Sequence, residues 1–179
     1  MALGATMFRF AIDVSNVDRG VYASDEIVVA RHPSESDALM LARVLAWAIE
    51  YEPTIQLGRG IAFPDEPGVF VADDTGGMRL WIEVGAPAAD RVHKAAKLCA
   101  TVKIYAHRDL ELVLGGLRGK KIHRGGQIPV IGLQPLVQQL EPLLDRRNVW
   151  NVTVNEGIVY VDTGRGSVEF TPAPVPIDP

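Results

Sequence analysis

The sequence predicts an α/β fold in which a mixed β-sheet is flanked by helices and followed by a C-terminal β-meander. Three observations favour this class. Two strands with alternating apolar residues open the chain, a strand–helix–strand segment occupies its middle, and three short apolar strands separated by glycine-containing turns come near its end. A strand, a helix and another strand in close succession are typical of a crossover joining parallel strands.

The first elements are a hairpin and a long helix. Phe8, Phe10, Ile12 and Val14 alternate with more polar residues, which predicts a half-buried strand, and residues 21–30 form its partner after a turn. The next helix has apolar residues at helical spacing and stops before Pro53.

The start of this first helix is predicted from a capping pattern. Ser34 followed by Asp37 resembles a capping box, so Ser34 is expected to cap the helix. Glu35 then falls in the first turn, where the helix dipole favours a carboxylate.

The rest of the chain is predicted from the same periodicities. Strands are expected over 55–61, 80–84, 102–106 and 128–133, helices over 88–100 and 135–146, and meander strands over 149–154, 158–161 and 168–170. Residues 107–126 contain five glycines and show no period. We expect one domain over residues 1–171 and an extended, unpacked proline-rich tail over residues 172–179.

Bulk composition favours a cytoplasmic protein without a membrane partner. The single cysteine, Cys99, cannot form an internal disulfide, residues 1–10 do not resemble a signal peptide, and the longest uncharged apolar run is too short to span a bilayer. The net charge of −4 counts against sequence-independent duplex binding. "HRDL" (107–110) and "RGKKIHR" (118–124) could form a local basic patch, for which a solvated loop is the favoured interpretation.

Glu83 interrupts an otherwise apolar strand. A buried carboxylate is costly unless it is paired, protonated or bound to a metal. Glu83 could therefore face solvent, pair with an arginine such as Arg79, Arg91 or Arg43, or hold a metal at the end of the strand, where α/β sheets commonly bind ligands.

The acidic segment at 64–68 favours the interpretation that Glu83 holds a metal. A hairpin could bring Asp65 or Glu66 beside Glu83, and a divalent cation would relieve the repulsion between the two carboxylates. Magnesium takes few protein carboxylates and can neutralise the charge that develops on a phosphodiester, while a nearby lysine or arginine would add to that stabilisation.

Four motifs, in order, carry a resemblance to a known family. "ARHPSES" (30–36), "DEPG" (65–68), "LWIEVGAP" (80–87) and "RVHKA" (91–95) resemble the signature segments of the YaeQ family of small bacterial proteins. The resemblance covers nearly the whole chain and is clearest over residues 1–106. It implies a variant of the restriction-endonuclease fold in the PD-(D/E)XK superfamily, whose members hold Mg²⁺ with acids on two adjacent strands.

The resemblance also implies site residues. Glu83 would be the second acid and a metal ligand, and Asp65 the first, because Gly68 stands where the family motif ends in aspartate. Glu35 would correspond to the acid on the superfamily's first helix.

The basic group of the site would come from the second predicted helix. Gly85 stands at the superfamily's lysine position, so the resemblance implies that Lys94 or Arg91 supplies the charge. Helical spacing turns Lys94 away from the apolar face and sets Arg91 at its edge, which leaves open a solvated Lys94 and an Arg91 paired with Glu83.

Two functions remain open at this point. One is a Mg²⁺-dependent nuclease or phosphodiesterase that uses Glu35, Asp65 and Glu83 with a basic residue. The other is a non-catalytic, nuclease-like scaffold. It would bind nucleic acid or a protein partner through Arg91 and Lys94 of the second predicted helix and through Arg31 and Ser34.

Overall fold

A computed structural model describes residues 4–179, so the first three residues of the predicted domain lie outside the described part. The strands are β1 (Thr6–Asn16), β2 (Val21–Arg31), β3 (Ile55–Leu57), β4 (Val69–Ala72), β5 (Met78–Val84), β6 (Thr101–Ala106), β7 (Pro129–Gly132), β8 (Arg147–Asn155), β9 (Ile158–Asp162), β10 (Ser167–Phe170) and β11 (Val175–Pro176). The helices are α1 (Asp37–Ile49), α2 (Ala89–Leu98), α3 (Leu110–Leu117) and α4 (Gln134–Leu140), and two short 3₁₀ helices cover Gly125–Gln127 and Glu141–Leu143.

The strands form two mixed sheets rather than the one expected. The first has the order β10-β9-β8-β1-β2, and only β1 and β8 are parallel in it. The C-terminal meander therefore extends the sheet that the N-terminal hairpin begins. This arrangement confirms the predicted α/β class and places the meander in a main sheet.

The second sheet carries the predicted crossover. Its order is β11-β7-β6-β5-β4-β3, with β5, β6 and β7 parallel and the remaining pairs antiparallel. Helix α2 joins β5 to β6, as the strand–helix–strand pattern predicts. The carboxyl ends of these three strands consequently meet at one edge of the sheet.

Helix α1 lies between the sheets and packs against both of them. Residues 40–49 are all buried, and they share one hydrophobic core with β1 and β8 of the first sheet and with β4 and β5 of the second. A helix that is apolar on all sides is one buried within a core. A second, smaller core lies on the other side of the second sheet, beneath α2 and α3.

The capping prediction for α1 is wrong by two residues. Ser36, rather than Ser34, is the N-cap, and its hydroxyl oxygen accepts a hydrogen bond of 3.1 Å from the amide of Leu39. Glu35 therefore precedes the helix instead of lying in its first turn. Both serines suit a cap chemically, so sequence spacing alone did not distinguish them.

Helix α3 occupies part of the segment in which no period was found. Asp109 caps it by accepting hydrogen bonds from the amides of Glu111 and Leu112. Its apolar face is buried although Gly115 and Gly116 interrupt the pattern. Helix α4 ends before the predicted residue 146 because the chain passes into a 3₁₀ turn containing Pro142.

The proline-rich tail packs against the protein, which corrects the expectation that it is unpacked. Val175 and Pro176 pair with β7, and Ile177 is fully buried in the second core. The carbonyl oxygen of Ile177 also accepts a hydrogen bond of 3.3 Å from Arg118. No helix within residues 4–179 is long and apolar enough to cross a bilayer.

Replacing Ile177 by alanine tests whether the tail is part of the core. We expect Ile177→Ala to lower the free energy of unfolding by about 2 kcal/mol or more, because it removes a fully buried side chain. Urea unfolding followed by circular dichroism measures the change. Leu112→Ala, at a side chain that is 77% exposed, is the matched control and should change stability by about 0.5 kcal/mol or less. Equal effects of the two substitutions would contradict a packed tail.

Candidate functional site

A cleft opens where the chain leaves β5 and turns into α2. Its volume is about 270 Å³. This is the carboxyl edge of the parallel strands, where α/β sheets commonly bind ligands. The lining combines apolar residues with two glutamates and two arginines. Its residues are Leu39, Arg43, Gly60, Ile61, Phe63, Pro64, Glu66, Pro67, Gly68, Glu83, Val84, Ala86, Pro87 and Arg91.

Glu83 is paired with Arg91 at the floor of this cleft. Glu83 is only 5% exposed, and its Oε1 accepts hydrogen bonds of 2.7 Å from Arg91 Nε and of 2.7 Å from Trp81 Nε1. Arg91 Nη2 donates to the carbonyl oxygen of Glu66, also at 2.7 Å. Of the three interpretations of this strand carboxylate, the structure therefore shows the arginine pair.

Each partner of this pair keeps one polar atom without a protein partner. Glu83 Oε2 accepts no hydrogen bond from residues 4–179, and Arg91 Nη1 donates none to them. Since both residues line the cleft, an acceptor and a donor remain available to a ligand there.

The acidic segment does not bring a second carboxylate to Glu83. Asp65 is exposed and does not line the cleft. The Glu66 carboxylate binds Arg59 instead, with a distance of 2.8 Å from Arg59 Nε to Oε1. The hydrogen bond from Arg59 lowers the pKa of Glu66.

The two-carboxylate metal site that the resemblance implies stays a prediction. Within residues 4–179, no group of three or more His, Cys, Asp or Glu side chains is arranged to hold a metal ion. Of the two expected ligands, Glu83 lines the cleft and is paired with Arg91, whereas Asp65 is exposed and is not part of the lining.

The backbone explains why Gly68 replaces the aspartate of the family motif. A Cβ atom at Gly68 would lie 2.7 Å from Val84 Cγ2 and 3.1 Å from Val84 Cβ. Such distances are shorter than normal packing allows, so any side chain at position 68 requires Val84 to move.

The backbone at Gly85 also disfavours a lysine, the residue that the resemblance to the superfamily implies at this position. Gly85 has φ +112°, a conformation that strains any residue with a side chain. The guanidinium of Arg91, one turn into α2, lies against the carboxylate instead. Lys94 is exposed and lies outside the cleft lining, as the helical spacing predicts.

Glu35 forms a buried ion pair with Arg43. The two residues are 2% and 3% exposed, and Arg43 Nε and Nη2 donate to the two carboxylate oxygens at 2.8 and 3.2 Å. Arg43 Nη1 donates to the carbonyl oxygen of Gly58 at 2.8 Å. Arg43 lines the cleft and Glu35 does not, so Glu35 acts on the cleft by neutralising and orienting Arg43.

The two expected contact residues also lie outside the cleft lining. Arg31 pairs with Asp37 at 3.1 Å and donates to the carbonyl oxygen of Glu35 at 3.2 Å. Ser34 is exposed. Arg31 is the last residue of β2 and Ser34 lies in the loop that leads into α1, and neither forms a hydrogen bond with Arg91 or Glu83.

Sequence reasoning missed the apolar wall of the cleft, and it named Arg43 as a possible partner of Glu83 rather than of Glu35. Ile61 and Phe63 line the wall, and Arg59 stacks on Phe63 with its Cζ atom 3.6 Å from the ring centroid. Arg59 and Ile61 fall in the predicted strand 55–61, of which the structure forms only residues 55–57, and Phe63 follows in a segment that gave no periodic signal. The sequence did contain a signal for the role of Arg43, because a single charged residue inside an otherwise apolar helix requires a buried partner.

His107 lies behind the cleft, at the end of β6. Its Nδ1 is buried and has no hydrogen-bond partner among residues 4–179, and it lies 3.8 Å from the place that a Cβ on Gly85 would take. Burial lowers the pKa of His107, and the charge of Arg108 lowers it further. The imidazole is therefore neutral at neutral pH and adds no positive charge to this edge of the sheet.

Comparisons with known proteins identify the family. The family model described as "YaeQ protein" matches residues 1–172. The chain belongs to the YaeQ family. It is 29% identical to "Uncharacterized protein YaeQ" of Salmonella typhi over 172 residues, which are 95% of each chain, and 27% identical to the protein of that name from Escherichia coli (strain K12) over 171 residues, which are 94% of each chain.

Two solved structures of the family have the same fold. The crystal structure of YaeQ protein from Pseudomonas syringae superposes with a TM-score of 0.84 at 30% identity and covers 96% of each chain. The structure of YaeQ protein from Xanthomonas axonopodis pv. citri superposes with a TM-score of 0.81 at 29% identity, over 95% of this chain and 97% of that one. The family predicted from the four motifs is thus confirmed.

Removing the Glu35 carboxylate should destabilise the protein strongly. Glu35→Ala leaves the charge of Arg43 buried and unpaired, so we expect the free energy of unfolding to fall by about 3–5 kcal/mol. Urea unfolding measures it. Glu111→Ala, which breaks the exposed pair with Arg118, is the control and should cost about 1 kcal/mol or less. A small effect at Glu35 would mean that Arg43 finds solvent or another partner.

An aspartate at position 68 should be tolerated only when Val84 is shortened. Gly68→Asp places its Cβ against Val84, so we expect a loss of about 1–3 kcal/mol in unfolding free energy. Val84→Ala removes the Cγ2 methyl group that lies 2.7 Å from this Cβ position, and the double variant should be more stable than the sum of the two single effects predicts. A double-mutant cycle by urea unfolding measures this coupling, and strict additivity would show that Val84 does not exclude the aspartate.

Proposed function

We propose that the cleft binds a phosphodiester segment of nucleic acid and does not hydrolyse it. The observation that carries this proposal is the Glu83–Arg91 pair: the carboxylate expected to hold a metal is neutralised by an arginine, and Asp65 is exposed and does not line the cleft. The arginine, in contrast, still has a free donor.

The chemistry of Arg91 supports an anionic ligand. Guanidinium groups bind phosphate oxygens with charge-assisted hydrogen bonds, which are stronger than neutral ones. The side chain of Arg91 is 30% exposed, and hydrogen bonds to Glu83 and to the carbonyl oxygen of Glu66 hold it in place. A phosphate oxygen that meets Nη1 would thus find a donor that is already oriented.

The apolar wall supports a nucleotide over free phosphate. Phe63 is 39% exposed and Ile61 is 40% exposed at the rim of the cleft. Single-stranded nucleic acids bind proteins by combining positive charge with apolar and aromatic surfaces on which bases pack. The cleft offers both within one volume.

A Mg²⁺-dependent phosphodiesterase is the second candidate function. The free Oε2 atom of Glu83 favours it, because Mg²⁺ is commonly bound through only one or two protein carboxylates together with waters and substrate phosphates. In this form Glu83 would be the single protein carboxylate on the metal, and Arg91 would contact the ligand's phosphate.

Neutralising Glu83 separates the two functions. With a fluorescent single-stranded DNA decamer in chelator, we expect Glu83→Gln to bind as tightly as the unmodified protein or more tightly, because it removes a negative charge beside Arg91. The double variant Glu83→Gln/Arg91→Gln removes the buried pair without leaving a charge unpaired, and it should bind about tenfold or more weakly. Fluorescence anisotropy measures both affinities.

Calorimetric titration with Mg²⁺ and Mn²⁺ completes this test. Metal binding that is lost in Glu83→Gln, together with metal-stimulated cleavage of the decamer, would replace the binding proposal with the phosphodiesterase. Unchanged decamer affinity in the double variant would exclude Arg91 as the phosphate contact.

A further inference from the structure

Positive charge is concentrated in one fifth of the chain. Residues 91–124 hold nine of the 18 lysines and arginines but only two of the 22 aspartates and glutamates. The rest of the chain therefore has nine basic and 20 acidic residues and is strongly negative. The overall charge of −4 conceals this separation, which is typical of proteins that bind a polyanion with one face.

Part of this positive charge is already used inside the protein. Arg91 pairs with Glu83, Lys103 with Glu50, and Arg118 with Glu111. Arg124 donates instead to the last carbonyl oxygens of α2, those of residues 96, 99 and 100. These cations build the fold, so they do not explain the concentration of charge by themselves.

The remaining lysines are exposed and unpaired. Lys94 and Lys97 on α2, and Lys120 and Lys121 in the loop that follows α3, are exposed and form no ion pair with any carboxylate of residues 4–179. They are four of the five lysines in the sequence. We call these four residues the lysine surface.

Loop contacts hold the two halves of the lysine surface together. The amide of His123 donates to Nδ1 of His93 on α2 at 3.1 Å, and Arg124 reaches the end of the same helix. Ile122 packs against the core beneath α2 and α3. The segment "RGKKIHR" is thus a largely exposed loop, as the sequence favoured, and its last residues are held against α2.

The lysine surface continues from the cleft. Arg91, Lys94 and Lys97 follow one another at three-residue steps along α2, which places Lys97 about 9 Å along the helix axis from Arg91 and turns each side chain about 60° around the helix from the one before it. Successive phosphates of one nucleic-acid strand are separated by about 3.4 Å along a duplex axis, so a row of this length faces about three of them.

We propose that the lysine surface binds the sugar-phosphate backbone of a nucleic acid whose end or flexible segment enters the cleft. This deepens the proposed function and rests on it for the identity of the ligand in the cleft. Unpaired lysines act on phosphates as point charges, so recognition here is independent of base sequence. The acidic remainder of the chain repels the same polyanion and thereby orients it.

Salt-dependent binding tests this proposal on the full chain. A fluorescein-labelled 20-nucleotide single strand and the 20-base-pair duplex are titrated between 50 and 200 mM KCl. We expect Lys120→Gln/Lys121→Gln, and separately Lys94→Gln/Lys97→Gln, to weaken binding roughly 10- to 30-fold at 0.1 M salt. Each pair should also reduce the slope of log K against log salt by about 1.4 for the single strand and by about 1.8 for the duplex.

The matched control removes two positive charges elsewhere. Arg9 and Arg147 lie opposite each other on β1 and β8, are exposed and form no ion pair with residues 4–179. Arg9→Gln/Arg147→Gln should leave both affinity and slope within twofold of the unmodified protein. An equal loss in this control would overturn the proposal, since only overall charge would then matter. Absence of binding at 50 mM KCl to either probe would overturn it too.

Two further readouts separate the alternatives. Tighter binding to phosphatidylserine vesicles than to either DNA would assign the lysine surface to an anionic membrane and overturn the proposal. If the lysine pairs weaken DNA binding but Glu83→Gln/Arg91→Gln does not, the lysine surface stands and the cleft proposal fails. If Glu83→Gln/Arg91→Gln weakens DNA binding but the lysine pairs do not, the cleft proposal stands and the lysine-surface proposal fails.

Discussion

The buried ion pair between Glu35 and Arg43 is the interaction on which the two-sheet arrangement depends. Helix α1 can fill the space between the sheets because ten consecutive residues are buried, and Arg43 is the only charged residue among them. An isolated charge at that depth would cost several kilocalories per mole. The bidentate carboxylate of Glu35 offsets this cost, and it does so from the loop that leads into the helix, so the pair also fixes how the chain enters the core.

The same arginine connects the core to the cleft through the backbone. Arg43 donates to the carbonyl oxygen of Gly58, and the amide of Gly58 donates to the carbonyl oxygen of Gly68 at 2.9 Å. Gly68 in turn leaves no space between its backbone and Val84. One wall of the cleft is therefore positioned by three successive contacts that begin in the protein interior. A displacement of Arg43 in α1 would consequently shift the backbone against Val84, at the end of β5.

Sequence reasoning predicted the elements whose apolar residues recur at a regular period. It missed the contacts that depend on which partner a side chain in an irregular segment binds. Alternation and helical spacing were sufficient for the hairpin, the crossover and the orientation of Arg91, because burial imposes those periods. The glycines of α3 hid its apolar face, and the sequence placed an acid of the 64–68 segment near Glu83 without showing that Arg59 would draw Glu66 away. Because burying a carboxylate is costly, Glu83 was correctly expected to have a partner, but only the structure identified which of the candidates it is.

The parallel pairing of β1 with β8 has a consequence for how the protein is made. Asn148, at the start of β8, donates to the carbonyl oxygen of Arg9, which lies 139 residues earlier. The hairpin is synthesised before β8 with one long edge of β1 unpaired, and it keeps that edge until β8, the first of the sheet's later strands, has been made. Contacts this distant in sequence slow folding, since the intervening chain must be ordered before they form. Newly made chains consequently spend this interval with an open β-edge, when association with other nascent chains or with a chaperone competes with native closure.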